Sequence, residues 1–408
     1  MKLKLNLRNA RLIILVSLLV IVAGLSGYWL GTHQVQIKLG QGKSFKVERK
    51  IPDNRQNIDF SLFWEVWDRL EESYLDRKNL DSSKMILGAI QGMVASLGDP
   101  YTVFLKPPEN QEVKEDLNGS FEGVGIQLGY KENQLAVIAP LPGTPAKAAG
   151  VKAGDLILKI DGESTTGQSA DEAAKKIRGP KGTKVKLTLL TVGDKEPHEV
   201  ELTRETIIVA SVEVEFQSSG NQEIAHLKLL KFGDRTSEEW GKAVEEIISH
   251  QPKVAGIVLD MRNNPGGYLT GSVFIASEFL EKGTVVQQEY ADGTKETYSV
   301  DRKGKLLTQP LVVLINEGSA SASEIVAGSL RDHSRAEIVG FKSFGKGTVQ
   351  EAQDLTEGAG LHVTIARWLL PSGDWIDKSG IKPQTEIKDD SETEKDEQLE
   401  KAIEVLLN

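Results

Sequence analysis

Apolar and polar positions along this chain repeat with three different periods, and each period marks a different kind of element. Residues 12–31 have no period at all: twenty consecutive positions carry no charge. At ~1.5 Å rise per residue such a run crosses the ~30 Å core of a bilayer. Lys2, Lys4, Arg8 and Arg11 precede it with no acidic residue among them, which favours a cytoplasmic N-terminus. Small residues at Ala23-Gly24 and Ser26-Gly27 keep a cleaved signal peptide open as the alternative. Residues 32–58 are polar and read as a tether. From Asp59 a helical spacing sets in, with Phe60, Phe63, Trp64, Trp67 and Leu70 on one stripe and then Ile86, Leu87, Ile90, Met93, Val94 and Leu97 on another, stopped by Gly98-Asp99-Pro100. The region 59–117 is therefore expected to be a helical lead-in.

From residue 118 the pattern shortens to strands bounded by glycine turns. Gly123-Val124-Gly125 runs into a strand at Ile126–Leu128, Gly150 to Gly162 reads as turn, strand and turn, 169–178 as a helix and 185–190 as a strand. Beyond residue 205, apolar strand runs at 224–230, 254–259, 311–315 and 337–339 alternate with helical stretches at 238–250, from about 271, and at 321–332, the pattern of an α/β domain. A further strand is expected at 361–370. The last stretch, 391–408, is acidic and ends in an amphipathic helix that would dock on the core or on a second copy of the chain, making a homodimer. The expected division is 1–31 anchor, 32–58 tether, 59–117 helical lead-in, 118–204 small β-rich domain with a helix, 205–390 α/β core and 391–408 terminal helix.

Composition narrows the chemistry. The net charge of −10 argues against nucleic acid as a partner. The chain has no cysteine, which excludes disulfides, thiol nucleophiles and thiolate metal sites. No His-Glu-x-x-His and no carboxylate cluster appears, so no metal and no cofactor are expected. Serine is left as a nucleophile, and three compete: Ser319, Ser321 and Ser323. Ser321-Ala-Ser-Glu324 is also a capping box, with serine as N-cap and glutamate at N3. The same hydroxyl at a helix start would have free amides beside it to stabilise a developing oxyanion. No motif supplies an Asp/His pair, and the histidines are scattered. Lysine is then the base to consider, provided burial lowers its pKa. Lys346, between Gly345 and Gly347 and beside Phe344, suits that role. Lys346, Thr348 and Gln350 would alternate onto one face of a strand, where Gln350 would hold the lysine nitrogen. Gly340 to Lys346 also fits the first seven places of a P-loop, but Gly347 stands where Ser or Thr is needed and a strand follows instead of a helix.

The small domain resembles a PDZ domain. Successive N–H groups at Val124, Gly125 and Ile126 would grip a chain-terminal carboxylate, an extended peptide would add beside Ile126–Leu128, and Arg178 at the helix end is a candidate contact to peptide or core. Together with Leu97-Gly-Asp-Pro-Tyr-Thr102, Arg262-Asn-Asn-Pro-Gly-Gly267, Gly318-Ser-Ala-Ser-Ala-Ser-Glu324, Phe344-Gly-Lys-Gly-Thr-Val-Gln350 and the closing Gln398-Leu-Glu-Lys-Ala402, it makes nearly everything after residue 59 resemble the C-terminal processing, or tail-specific, peptidases. That resemblance implies an α/β protease core with an inserted or preceding PDZ domain. It implies Ser321 as nucleophile, Lys346 as general base, Gln350 as its support, and the amides of Gly267 and Ala322 as oxyanion hole. The expected protein is a single-pass bacterial membrane peptidase whose extracytoplasmic part cleaves proteins or peptides with free C-termini. The competing expectation is a catalytically silent or ligand-gated, membrane-tethered PDZ scaffold. Gln384, where that family usually carries aspartate, is a departure outside the catalytic motifs.

Overall fold

The computed structural model describes residues 58–131, 133–191, 193–388 and 395–408. The apolar run 12–31 lies outside them. Among the described residues no helix is long and apolar enough to cross a membrane.

The chain divides into two compact units after Ala89. In the first, helix Ser61–Ser73 brings Phe60, Phe63, Trp64 and Trp67 into a run of edge-on and tilted ring contacts. Only Trp67 is buried on that helix, and its indole N–H donates to Glu71. Helix Ser82–Ala95 begins in this unit and ends in the next.

The second unit is built on a six-stranded sheet in the order 212–219, 222–229, 256–260, 311–315, 337–340, 385–386. The first pair is antiparallel and all the others are parallel. Strands Gly256–Asp260 and Leu311–Ile315 are buried along their whole length, because a parallel sheet is covered on both faces. Alternate residues serve the two layers. Ile257, Leu259, Leu311, Val313 and Ile315 pack with helices Thr236–Ser249, Leu269–Phe279 and Ala322–Asp332. Val258, Val312, Leu314 and Val339 pack under the last helix, Glu397–Leu407, through Leu399 and Ala402. That terminal helix therefore docks on its own core.

A second, antiparallel sheet is centred on the ten-residue strand Gly360–Leu369, which pairs with Val103–Leu105, Thr348–Asp354 and Thr284–Tyr290. The strand at 103–105 lies in what was expected to be a helical lead-in. Periodicity could not reveal it, since three residues are too few to show a period. Its pairing settles the domain order. The small β-rich domain, with strands from Ile126–Lys131 to His198–Thr203 and helix Ala170–Ile177, is inserted between two pieces of the core. The chain enters it along Ser120–Gly123 and leaves along Glu205–Ile208, which pair antiparallel as a two-stranded ribbon. Buried Arg204 closes the domain at that end, donating to the carbonyls of Lys176, Ile177 and Lys184 and so placing a cation on the carbonyl end of the helix.

Candidate active site

The turn between strand Leu311–Ile315 and helix Ala322–Asp332 decides which serine is available. Ser319 is buried and donates to the Met261 carbonyl at 2.8 Å. Ser323 is buried and donates to the Asn264 carbonyl at 3.0 Å. Both hydroxyls are structural. Ser321 sits between them at φ 55°, ψ −114°, a left-handed conformation that side chains rarely adopt and that persists only where the surroundings enforce it. Its hydroxyl makes no capping hydrogen bond and faces a cleft of about 650 Å³. The Ser321 N–H donates to Glu324 at 2.8 Å, the glutamate half of the capping box, and the Ser321 hydroxyl, unlike those of Ser319 and Ser323, donates to no carbonyl among the described residues.

Lys346, Thr348, Val349 and Gln350 line the same cleft. The strand begins only at Thr348, and its pairing slips between Val349 and Gln350. Lys346 therefore reaches the cleft from the preceding loop and not from a strand face shared with Gln350. That loop is pressed against its neighbours. A Cβ on Gly345 would lie 2.9 Å from the Gly380 nitrogen, and one on Gly347 would lie 2.5 Å from the Trp375 indole nitrogen. The Lys346 ammonium lies 5.0 Å from the centroid of the Tyr101 ring and makes no ion pair among the described residues. Burial pushes its pKa below the ordinary lysine value, against the opposing pull of Asp99 and Glu324. Gln350 does not hold the lysine nitrogen here. Its amide donates to Thr348 and Thr364 at 2.8 and 3.1 Å, because the slipped register turns it toward those hydroxyls.

Gly267 and Ala322, the expected oxyanion donors, lie on two loops in contact. Gly267 has φ +140°, and a Cβ there would lie 2.0 Å from the Phe232 carbonyl oxygen, so only glycine fits. At Gly266 a Cβ would lie 2.9 Å from Ser321 Cβ and 3.0 Å from the Ala322 nitrogen, which puts this loop directly against the serine turn. The N–H groups of Gly267 and Ala322 donate to no acceptor among the described residues, the condition an oxyanion hole requires.

Four residues of this site escaped the sequence reading. Glu324, fully buried, joins the serine turn to the lysine loop. One carboxylate oxygen accepts from Ser321 N–H and Lys346 N–H at 2.8 and 2.9 Å, the other from Gly345 N–H and Ser343 Oγ at 2.7 and 2.6 Å. Burial pushes its carboxyl above the usual range while these donors pull it down. Tyr101 and Asp99 belong to the segment read as lead-in, although the match at Leu97 to Thr102 was a signal that it carried more than packing. His362, on the central strand of the second sheet, lines the cleft. Burial and the Lys346 charge both hold its pKa below the ordinary value.

In the inserted domain, Gly125 has φ +76° and a Cβ would meet Thr144 at 2.4 Å. The Val124 and Gly125 carbonyls accept from Ala146 and Leu141 N–H, while the N–H groups of Val124 and Gly125 donate to no described acceptor. Ile126 starts the strand alongside. Arg178 lies elsewhere. Its guanidinium stacks 4.5 Å over Phe121 and lines a small cleft with Glu112, Glu115 and Asp116 of helix Pro107–Leu117.

A serine on an enforced turn, a partly desolvated lysine and two idle amides around one cleft are the kind of arrangement a serine-type peptidase core carries, and a β-rich domain is inserted into it. Comparison with known proteins agrees. The model of peptidase family S41 matches residues 223–387, that of the PDZ domain 111–190, and that of the activating protease CtpB N-terminal domain 21–107. The carboxy-terminal processing protease CtpA of Bacillus subtilis is 36% identical over 328 residues, covering 79% of this chain and 69% of that protein. A carboxyl-terminal-processing protease of Synechocystis sp. is 38% identical over 339 residues, 82% of this chain and 78% of that one. A putative S41 protease from Bacteroides fragilis shares the fold with a TM-score of 0.54 at 16% identity, over 85% of this chain and 93% of that one. The chain belongs to the carboxy-terminal processing proteases of peptidase family S41.

Proposed function

We propose that this peptidase is an endopeptidase working through a Ser321/Lys346 dyad on proteins whose free C-termini are received by the PDZ domain. Neutral Lys346 takes the Ser321 proton as Oγ attacks a peptide carbonyl. The oxyanion is held by the N–H groups of Gly267 and Ala322, the lysine returns its proton to the leaving amine, and water then releases the acyl group. The observation that carries this reading is the division of labour among the three serines: Ser319 and Ser323 donate to carbonyls, and the hydroxyl of Ser321, which does not, lines one cleft with the half-buried Lys346. The substrate's carboxylate would meet the amides of Val124, Gly125 and Ile126 and its last residues would pair with Ile126–Lys131. Arg178, stacked on Phe121, would act at the contact with the core and not on the carboxylate. Residues 12–31 would anchor the chain in the cell membrane with the catalytic part outside the cytoplasm, and a homodimer is the proposed assembly.

The test is incubation of the full chain, in detergent, with an unstructured protein ending in apolar residues, beside Ser321→Ala and Lys346→Ala. Cleavage by the parent and by neither variant supports the dyad; full activity in Lys346→Ala refutes it. Amidating the substrate's C-terminus should suppress cleavage if the PDZ domain reads the carboxylate.

A further inference from the structure

The loop that carries Gly267 is poorly supported by its own backbone. Asn263, Gly266 and Gly267 all have positive φ, at 56°, 98° and 140°, and such a path holds only when its surroundings over-determine it. On the cleft side Asn264 supplies the restraint, with its side-chain amide donating to the Leu229 carbonyl at 2.7 Å and its own carbonyl accepting from Ala320 N–H and Ser323 Oγ. On the far side the restraint is Arg262. Its Nε and one terminal nitrogen reach Asp260, the last residue of the preceding strand, at 3.0 and 2.6 Å. Both terminal nitrogens reach Asp396, at 2.7 and 2.8 Å. Asp396 is the N-cap of the last helix and accepts from Leu399 N–H at 2.9 Å. The helix itself is seated on the sheet by Leu399 and Ala402. A paired, bidentate Arg–carboxylate contact fixes orientation as well as distance.

We infer that Asp396 is a positioning residue for the oxyanion donor: acting through Arg262, it sets the loop from Met261 to Gly267 and with it the direction of the Gly267 N–H. The inference rests on the Ser321/Lys346 reading above. It separates two jobs that Asp396 performs at once, capping a helix and orienting an arginine. Asparagine caps a helix as well as aspartate does but cannot accept both guanidinium nitrogens. Asp396→Asn therefore leaves the helix seated and loosens the loop.

The test uses the full chain and its Asp396→Asn, Asp396→Glu and Arg262→Gln variants, with steady-state cleavage, acylation of Ser321 by a fluorophosphonate, and thermal melting. Displacing a catalytic donor by a fraction of an ångström costs on the order of 10-fold or more in rate. Asp396→Asn and Arg262→Gln should accordingly lower kcat and the acylation rate about 10-fold while KM stays within about twofold. The melting temperature of Asp396→Asn should fall only modestly, since the cap is kept and the ion pair with Arg262 lost, and Asp396→Glu should recover most of kcat. Parental kcat in both Asp396→Asn and Arg262→Gln overturns the inference, as does activity that falls only in step with the folded fraction. A parent that neither cleaves nor is acylated refutes the Ser/Lys reading and this inference with it, whereas a cleaving parent with unaffected variants refutes the inference alone.

Discussion

Replacing Glu324 by glutamine tests the site at its most connected point. The substitution keeps the size of the side chain and turns one of two acceptor oxygens into a donor. If the amide nitrogen takes the place facing Ser321 N–H and Lys346 N–H, two buried donors lose their acceptor. If it takes the place facing Gly345 N–H and Ser343 Oγ, the serine oxygen, which already accepts from Ile381 N–H, can accept from the amide too, and the Gly345 N–H and the serine's own proton lose their acceptor. Each stranded buried donor costs ~1–3 kcal/mol, but a hydroxyl can rotate toward another acceptor and a backbone N–H cannot, so the second orientation wins and Glu324→Gln should lose on the order of 2–6 kcal/mol of stability. Alanine strands all four donors, a cost on the order of 4–12 kcal/mol, comparable with the whole ~5–15 kcal/mol margin of a folded domain. In the favoured glutamine orientation Ser321 and Lys346 keep their acceptor, so the dyad survives. What changes is charge. The Glu324 carboxylate raises the Lys346 pKa against the desolvation that lowers it, and removing the carboxylate lets desolvation act with less opposition. The base must be neutral to work, so activity rises with pH through the Lys346 pKa. The acid limb of kcat/KM in Glu324→Gln should therefore lie at lower pH than in the parent. Denaturant unfolding gives the first quantity and a pH–rate profile the second. A destabilised variant whose acid limb stays put or moves to higher pH would refute Lys346 as the titrating base.

Three further outcomes follow from the geometry. Gly266→Ala places a methyl 2.9 Å from Ser321 Cβ and 3.0 Å from the Ala322 nitrogen, at a φ of +98°; fluorophosphonate acylation should fall ~10²–10³-fold, the worth of an oxyanion donor, with circular dichroism unchanged. In Lys346→Met, the His362 pKa should rise, because burial still holds it down but the neighbouring charge no longer does; an unchanged imidazole titration by NMR would place the lysine elsewhere. Asp260 is held down to about 2, burial opposing but hydrogen bonds from His226 and Arg262 prevailing. A depressed carboxylate stabilises the fold above its unfolded pKa of ~3.9 and loses that contribution as pH falls toward the folded value. About 2 kcal/mol should therefore disappear between roughly pH 4 and 2 in the parent and not in Asp260→Asn, measured by urea unfolding across that range.

Much of the core was legible because its strands are buried on both faces and read as uninterrupted apolar runs: Leu311–Ile315 appears in the sequence as it does in the sheet. The helix that begins after Ser321 was legible from Ile325, Val326 and Leu330, all buried. The second sheet was legible only in part: the strands expected at 361–370 and around Thr348 and Gln350 are present, but the hairpin beside them was not foreseen. Thr284–Tyr290 buries Val285 and Val286 but runs on into Gln287, Gln288 and Glu289, and Lys295–Ser299 is mostly exposed and polar, so two apolar positions are too few to separate the pair from a loop. Motifs located Ser321 and Lys346 but not the groups that tune them. Glu324 was read as half of a helix cap, and its contacts to Gly345 and Lys346 join segments about twenty residues apart, a distance local pattern does not cross. Gln350 was placed against the lysine by strand alternation, which a shifted register undoes.

The pairing of Val103–Leu105 with Gly360–His362 has a consequence for how this molecule comes into being. Chains emerge from the ribosome N-terminal end first, and domains with local contacts fold as they appear. The inserted domain is complete by Ile208 and pairs its own ends, so it can close early. The strand before it must wait for a partner that emerges more than two hundred and fifty residues later, and so must the wall of the cleft formed by 348–354 and 360–369. Loop closure over such separations is slow. Ser321 and its helix are thus made before the surface that completes the cleft beside them. A nascent chain completes its PDZ domain first and the cleft of its peptidase core last.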